Sequence, residues 1–141
     1  MGKRIALKDE ITIDGVNLSN YIRSVDFTSE SEEIDASGFN DDGYSEFLVG
    51  ANVRRITLEF IMGRASGEPH QVLWNLHQTN ATFDLAWRAD GSASVSSTNP
   101  ELRGSVKLPN YAEGATRGEL EVASMTFIAP LASAPLTFYA T

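Results

Sequence analysis

Apolar and polar residues alternate with a period of two along most of the chain, which is the pattern of half-buried β-strands. Ile11 and Ile13 alternate with polar neighbours, and the Asp14-Gly15 pair that follows predicts a tight hairpin turn. The offset between Val53 and Ile56 predicts a β-bulge or a strand start near Arg54. Similar alternation predicts strands over residues 21–29, 52–62, 82–88, 102–108, 118–128 and 136–139.

One segment departs from this period and predicts a helix over residues 69–79. Pro69 suits the first helical turn, and Val72, Leu73 and Leu76 form an apolar stripe at helical spacing. The order of elements is therefore three strands, one helix and further strands. It predicts a mainly β fold, a β-sandwich or partly open barrel with one flanking α-helix, formed by a single domain over residues 1–141.

Three stretches lack either period, namely 37–52, 90–100 and 129–135. Loop 37–51 is too long for a simple hairpin turn and carries several aromatic and aliphatic residues. Such a loop in a small domain usually has a function, and exposed apolar side chains favour a surface that binds a partner. The alternative is that the loop folds back over its own sandwich.

Composition narrows the function classes. The formal net charge is −8, from 19 acidic and 11 basic residues, which argues against a protein that grips nucleic acid. There are no cysteines, so disulfides and thiolate metal sites are excluded. The sequence has neither an apolar run long enough to span a membrane nor a signal peptide, so we expect a soluble protein made in the cytoplasm.

No catalytic constellation is evident. The sequence lacks GxSxG, Walker A and GxGxxG motifs. The glycine-rich stretch 63–67 precedes a helix and could bind phosphate, but Glu68 places a negative charge there, which favours a simple connection. His70 and His77 lie seven residues apart, which is wrong for a helical metal pair, so we interpret them as polar-face residues.

The sequence favours neither a calcium loop nor a carbohydrate platform. The acidic residues near 30–42 lack the spacing of a calcium loop and favour a solvated segment. Trp74 and Trp87 could form a carbohydrate platform, but Trp87 shares its face with Phe83 and Leu85, which favours a core position. The sequence thus predicts neither cofactor nor metal, and a protein that is not an enzyme.

Several segments, in order, resemble the tail tube (major tail) proteins of long-tailed, siphovirus-type bacteriophages. The opening ITIDGVNLSNYIRSVDFTSESEEIDAS, the segment GYSEFLVGANVRRITLEF, the helix and strand VLWNLHQTNATFDLAWRADG and the closing STNPELRGSVKLPNYAEGATRGELEVASMTFIAPLASAPLTF carry the resemblance. It extends over nearly the whole chain. Each motif is weak alone, but their order and spacing are together fairly specific.

The resemblance implies a structural virion protein whose hexameric rings stack into a tube that conducts DNA to the host during genome ejection. Its expected partners are further copies of itself, the tape measure protein in the lumen, the tail terminator and the distal tail protein, with DNA passing without specific binding and no membrane contact. The protein would be made in the host bacterial cytoplasm and located in the virion tail.

Roles for individual residues follow from joining the resemblance to the strand pattern. Polar strand faces would line the lumen, where acids repel the DNA backbone. The lumen-facing candidates are Asp26, Thr28, Glu30, Thr57, Glu59, Glu119 and Glu121. Basic residues on similar faces, Arg55, Arg103 and Lys107, would pair across strands or between subunits. The inter-ring candidates, in loop 37–51, are Phe39, Asp41, Asp42, Tyr44, Phe47 and Leu48. By resemblance, the N-terminal arm and the 90–100 loop are further candidates for bridging subunits, and residues 129–141 would form a C-terminal arm.

Three other functions would each require a further feature of the protein. The inner tube of a contractile tail or related injection machine shares the fold and would differ by a sheath-binding surface. A secreted carbohydrate-binding β-sandwich module would require exposed aromatics on one strand face. A small hydrolase would require a nucleophile and base, which the sequence does not offer.

Overall fold

The computed structural model describes residues 8–35, 47–130 and 136–140. Within them, no helix is both long and apolar enough to cross a membrane. The elements in chain order are β1 (Glu10–Ile13), β2 (Val16–Asn17), a 3-10 turn (Ser19–Tyr21), β3 (Ile22–Asp35), β4 (Phe47–Ile61), α1 (Pro69–Gln78), β5 (Phe83–Arg88), β6 (Glu101–Val106), β7 (Val122–Ile128) and β8 (Thr137–Tyr139).

The strands form two antiparallel sheets. One has five strands in the order β2-β1-β5-β6-β8, and the other has three in the order β3-β4-β7. In the part of the chain that the structure describes, one bridge, between Lys107 and Ile128, joins the two sheets, with reciprocal backbone hydrogen bonds of 2.8 and 3.0 Å. The predicted mainly β fold with one α-helix is confirmed, in its sandwich form and without closure into a barrel.

The core lies between the inner faces of the two sheets. Ile56, Leu58 and Phe60 alternate along β4 and are fully buried, as the period-two pattern predicts. Phe127 of β7 makes edge-to-face contacts with Phe60 and with Phe83 of β5, at centroid distances of 6.3 and 5.9 Å. These three rings connect the two sheets. The other fully or nearly fully buried apolar residues include Ile11, Ile13, Leu18, Leu73, Leu85, Leu102, Val106, Met125 and Leu136.

The hairpin turn predicted at Asp14-Gly15 is confirmed. Both residues have positive φ, 51° and 78°, and Ile13 pairs with Val16 across them. This is the combination that a two-residue type I′ turn requires, because its twist matches that of the flanking strands.

The prediction of a bulge or a strand start near Arg54 is wrong, because β4 begins at Phe47 and its register with β3 shifts elsewhere. The β3–β4 register is continuous from Ser24↔Glu59 to Ser31↔Asn52, and shifts only between Ile22 and Ser24 and between Ser31 and Glu33. Arg54 therefore continues the inner face, where its Nη1 donates a 2.6 Å hydrogen bond to the carbonyl of Leu136. The arginine stem extends the apolar face, and its head satisfies a backbone acceptor.

The helix predicted over 69–79 is confirmed as Pro69–Gln78. Pro69 occupies the first turn, and Leu73 is buried while Val72 and Leu76 pack against the core. Gly67, which precedes the N-cap residue Glu68, has a φ of 79°, and its amide donates to Oε1 of Gln71 at 2.7 Å, which ties the preceding loop to the first helical turn.

Two strand predictions need correction. The strand predicted from residue 118 begins at Val122, because Glu119 lies in a turn that its amide closes onto the carbonyl of Thr116. Residues 47–51, predicted to be irregular, belong to β4, where Phe47 pairs with Asp35 and Leu48 with Ile34. Residues 47–51 form a strand despite their weak alternation because the long pairing of β4 with β3 stabilises them.

The irregular stretch predicted over 90–100 is organised by one buried side chain. Asn99 donates to the carbonyls of Asp90, Ala93 and Ser94 and accepts from the amide of Asp90, at 3.0 to 3.4 Å. These bonds replace a strand ladder as the means of satisfying buried backbone groups. The loop is therefore ordered by its own residues.

Candidate functional site

The outer face of the three-stranded sheet is a continuous polar surface. Its pairing places Thr57 between Asp26 of β3 and Thr126 of β7, and residues on each side follow the same alternation. The neighbouring rungs are Ser24, Glu59 and Ser124, then Thr28, Arg55 and Ile128. Because Val25, Leu58 and Met125 between these rungs face the core, the rung side chains point away from it.

Five of the seven predicted lumen residues come together on this face: Asp26, Thr28, Glu30, Thr57 and Glu59. The Oγ1 atoms of Thr57 and Thr126 are hydrogen-bonded at 3.0 Å, and Nε of Arg23 lies 3.6 Å from Oε1 of Glu59. The face thus combines hydroxyls with exposed carboxylates, and its only ion pair within the described residues is a loose one.

Glu119 and Glu121 do not join the other five. Both precede β7, and Oε1 of Glu121 lies 2.7 Å from Nη2 of Arg64. The alternation of Leu120 and Val122 with glutamates imitates a strand, but the backbone turns at Gly118, whose φ is 83°. We therefore remove these two residues from the candidate face.

Sequence reasoning missed the contribution of β7. Ser124 and Thr126 belong to the face, but their alternation with Met125 and Phe127 became informative only once β7 was paired with β4. Arg55 lies between Thr28 and Ile128 and forms no ion pair within the described residues. Arg103 is on the other sheet, where its Nε is 2.7 Å from Oε1 of Glu101.

The inter-ring candidates fall in two groups. Phe39, Asp41, Asp42 and Tyr44 lie outside the described residues. Phe47 and Leu48 lie in β4, where they pair with Asp35 and Ile34 of β3.

Beyond the last β7 partner, Ile128↔Arg55, strand β4 has β3 as its only neighbouring strand in the described part of the chain. We call this two-stranded extension, residues 29–35 and 47–54, the hairpin arm. A two-stranded ribbon is marginally stable alone, so the arm gains from a further contact.

The two histidines hold an irregular segment against α1. Nδ1 of His77 is 2.9 Å from the carbonyl oxygen of Leu108, and Nδ1 of His70 is 2.8 Å from Oε2 of Glu113. Tyr111 donates a 2.7 Å hydrogen bond to the same carboxylate oxygen. The prediction that the histidines lie on one helix face holds, but that face is half-buried and hydrogen-bonded rather than solvated.

Glu113 is the centre of this network. Burial alone would raise the pKa of its carboxyl, but hydrogen bonds from Tyr111 and His70, together with the Arg64 guanidinium, lower the pKa below its ordinary value. Burial and the neighbouring Glu113 raise the pKa of Tyr111. Both shifts favour a neutral phenol that donates to a carboxylate, which is a structural arrangement and offers no free nucleophile or base.

The two tryptophans lie in different surroundings. Trp87 is half-buried with Ile11 beside it, and its Nε1 donates to Oδ2 of Asp9 at 2.7 Å. It packs against the core without lying within it, so the predicted core position is correct only in part. Trp74 is 42% exposed and makes an edge contact with Tyr111 at 5.2 Å. They do not share a strand face, as a carbohydrate platform would require. Within the described residues, no group of three or more acidic or histidine side chains is arranged to hold a metal ion.

No protein-family model matches the sequence, and no curated protein matches it. Solved structures do share its fold. A chain in the tail of an empty gene transfer agent particle, refined with C6 symmetry, has a TM-score of 0.65 at 9% identity, covering 86% of this chain and 82% of that one.

Two further structures agree. A chain in the virion of a native gene transfer agent particle has a TM-score of 0.66 at 10% identity, with 83% and 85% of the two chains covered. A chain in the six-fold symmetrised baseplate of the anti-feeding prophage has a TM-score of 0.55 at 10% identity, with 90% and 92% covered. The chain thus has the fold of proteins found in tails and baseplates.

Proposed function

We propose that this protein is a structural tail tube subunit, with six copies forming a ring and rings stacking into a tube through which DNA leaves the virion. The observation that carries the proposal is the likeness of fold, over 86% of the chain, to a tail protein arranged with C6 symmetry. The open polar face of the three-stranded sheet and the hairpin arm supply the two surfaces that such an assembly needs.

The polar face would line the lumen. Asp26, Glu30 and Glu59 place three carboxylates there against two arginines, Arg55 and Arg23, and the hydroxyls around them bind water. A phosphate backbone passing such a wall is repelled, within about 8–10 Å at physiological salt, rather than held. This is the behaviour required of a conduit that conducts DNA without binding it.

The hairpin arm and the residues 36–46 between its strands would make the inter-ring contact. By this proposal Phe39, Tyr44 and their neighbours are buried when rings stack. The expected partners remain the tape measure protein within the lumen and the tail terminator and distal tail protein at the ends. The protein would have no catalytic activity and would be located in the virion.

Electron microscopy tests the assembly. Purified protein, concentrated stepwise and examined in negative stain, should form hollow tubes with six-fold symmetry. A chain that stays monomeric at every concentration would contradict the proposal. Replacing residues 36–46 with Asn-Gly closes the Asp35↔Phe47 pair with a short type I′ turn and should leave a folded monomer that no longer stacks.

Charge reversal tests the lumen. Asp26→Lys with Glu59→Lys should leave tail assembly intact and slow DNA release, since cations would hold the phosphates. Asp84→Lys is the matched control, because Asp84 is an exposed acid on the outer face of the other sheet. Equal release rates for the two variants would remove this face from the lumen.

A second candidate function is the inner tube of a contractile injection machine. The likeness to the anti-feeding prophage chain, which covers 90% of this one, favours it. Since the same fold serves both, the siphovirus assignment remains a prediction. Copurification of the assembled tubes with a sheath protein from the same genome would favour the contractile class.

A further inference from the structure

The hairpin arm leaves the sandwich at Arg54. The last β7 residue that pairs with β4 is Ile128, opposite Arg55, and one further backbone hydrogen bond follows, from the amide of Ala129 to the carbonyl of Arg54 at 3.2 Å. Beyond this bond, β4 has β3 as its only neighbouring strand in the described part of the chain. Arg54 is therefore the residue at which a three-stranded sheet becomes a two-stranded ribbon, and we call it the root of the arm.

The side chain of Arg54 makes a second contact, which joins the two sheets. It lies half-buried on the inner face of β4, in line with Ile56, and its Nη1 donates a 2.6 Å hydrogen bond to the carbonyl of Leu136. Leu136 is fully buried and immediately precedes β8, which pairs with β6 in the five-stranded sheet. The bond thus ties the root of the arm, in the three-stranded sheet, to the edge strand of the other sheet.

The two contacts of Arg54 act in different directions. Backbone hydrogen bonds between strands lie in the plane of the sheet, whereas side chains stand roughly perpendicular to it. The bond from Ala129 therefore limits movement of the root within the plane of the sheet, and the bond to Leu136 limits its movement away from the five-stranded sheet. A two-stranded ribbon is marginally stable alone, so the direction of the arm depends on what holds its root.

Two adjacent arginines have different surroundings at the root. Arg55 is exposed on the outer face of the sheet, whereas the head of Arg54 is directed at one backbone acceptor. A guanidinium is always charged in proteins, and hydrogen bonds from charged donors are shorter and stronger than those between neutral groups. The short bond from Arg54 is therefore a strong attachment, and Arg55 offers a control of the same charge one residue away.

We propose that Arg54 is a positioning residue, whose bond to Leu136 fixes the direction in which the hairpin arm leaves the sandwich. Every copy of the chain would then present the arm in the same orientation. The orientation of the arm in the monomer does not depend on the proposed function. The consequence for the stacking of rings rests on the proposed function, because it takes the arm as the contact between rings.

A fixed direction favours assembly by raising the fraction of copies that are ready to bind. The apparent dissociation constant of a contact is the intrinsic constant divided by the populated fraction of the competent state. If loss of the bond left about one tenth of the arms in the competent direction, stacking would need roughly tenfold more protein. Ordering the arm in advance also removes that entropic cost from the association step.

Spin labels measure the direction of the arm in the monomer. The chain has no cysteine, so Glu33→Cys on the arm and Asp84→Cys on the outer face of the five-stranded sheet can be labelled selectively. Position 33 pairs with Val49, about 13 Å along the strand beyond the root, so a change in the direction of the arm becomes a change in distance. Double electron–electron resonance should give a narrow distribution of distances between the two labels.

Arg54→Met should widen that distribution about twofold or more, because it keeps an unbranched apolar stem but removes every donor. Arg54→Gln, with a shorter side chain, is a second variant for the same loss. Arg55→Met is the matched control, with the same loss of charge, and should leave the distribution unchanged. Thermal unfolding would confirm that the labelled variants fold. Equal widths for Arg54→Met and Arg55→Met would overturn the proposal, and so would complete unfolding of both Arg54 variants, since Arg54 would then be needed for the core.

The assembly of tubes tests the consequence for stacking. Arg54→Met should raise the concentration needed for tubes by about tenfold, and single six-fold rings should still form. Arg117→Met, the same change at an exposed position outside both proposed surfaces, should leave the threshold within about twofold. A normal threshold in a variant with a widened distribution would overturn the consequence for stacking. Failure of the unmodified chain to form tubes would overturn the proposed function, whereas the distances in the monomer would still decide the role of Arg54.

Discussion

The two sheets of this protein present outer faces of opposite character. On the five-stranded sheet, Arg88 lies 3.2 Å from Glu10 and 3.9 Å from Glu101, and Arg103 lies 2.7 Å from Glu101. The Arg103 guanidinium also lies 4.4 Å above the ring of Tyr139. Charges of both signs thus pair with each other across β1, β5 and β6.

The three-stranded sheet leaves its charges largely unpaired. Among the described residues, its outer face has one hydroxyl pair, Thr57 with Thr126, and one loose ion pair, Arg23 with Glu59. The comparison shows that the polar face of a sheet can have either of two roles. A paired face is electrostatically quiet and stabilises its own sheet. An unpaired face adds little to the free energy of unfolding. The electrostatic potential of its charges extends into the solvent, however, and this suits a wall that repels phosphate.

The largest effect on stability is expected from a change in the core between the two sheets. Phe127→Ala should lower the free energy of unfolding by about 3–5 kcal/mol, because it removes the ring between Phe60 and Phe83 and leaves a cavity. Chemical denaturation measures it. A loss under about 1 kcal/mol would mean that the sheets are held together by other contacts. Phe127→Leu, which conserves much of the volume, should cost clearly less.

The next largest effect on stability is expected at Glu113, a partly buried carboxylate away from both faces. Glu113→Gln should lower the free energy of unfolding at pH 7 by about 1–2 kcal/mol, because it weakens the hydrogen bonds from Tyr111 and His70. Since the folded protein lowers the pKa of Glu113, its contribution is present above the ordinary value of 4.5 and is lost as the pH falls through the folded pKa.

The same variant therefore supplies the pH control. Unfolding of the unmodified chain and of Glu113→Gln, followed from pH 7 to pH 3, should converge at the acid end. A difference in stability that stays constant over this range would show that Glu113 does not titrate as its surroundings require.

The paired face should respond to the loss of its shared carboxylate. Glu101→Gln leaves Arg88 and Arg103 with weaker partners and should cost about 1 kcal/mol, less at high salt because these groups are partly exposed. Denaturation at low and high salt measures the effect. Independence from salt would mean that packing of the glutamate stem, rather than charge, stabilises this face.

Changes on the outer face of the three-stranded sheet should have little effect on the free energy of unfolding. Thr57→Val with Thr126→Val removes the hydroxyl pair from a face that gains little from it, and should change the free energy of unfolding by about 0.5 kcal/mol or less. If this double change destabilised the chain more than Glu101→Gln does, the two faces would not differ as described.

The alternation of residues was enough to predict most of the fold. Strict alternation in β1, β5 and the central part of β4, and helical spacing at Val72, Leu73 and Leu76, predicted elements that the structure confirms. These patterns are local, because each residue's face follows from its own place in the period. The Asp14-Gly15 turn was likewise predictable, since few residue pairs accept positive φ twice.

The candidate face could be predicted only in part. The residues of β3 and β4, Asp26, Thr28, Glu30, Thr57 and Glu59, were identified by alternation, whereas Ser124 and Thr126 required the register of β7. Glu119 and Glu121 were wrongly predicted to lie in a strand, because side-chain alternation does not reveal that the backbone turns at Gly118.

By itself the sequence determined the mainly β class, the helix, the acidic balance and the polar character of individual strands. Tertiary structure alone decided which polar faces are paired and which stay open, how long the β3–β4 hairpin is, and that Arg64 joins Glu113 to Glu121. The physical reason is range. Side-chain alternation and turn chemistry act over a few residues, whereas sheet pairing and ion pairs join residues that lie far apart in the chain.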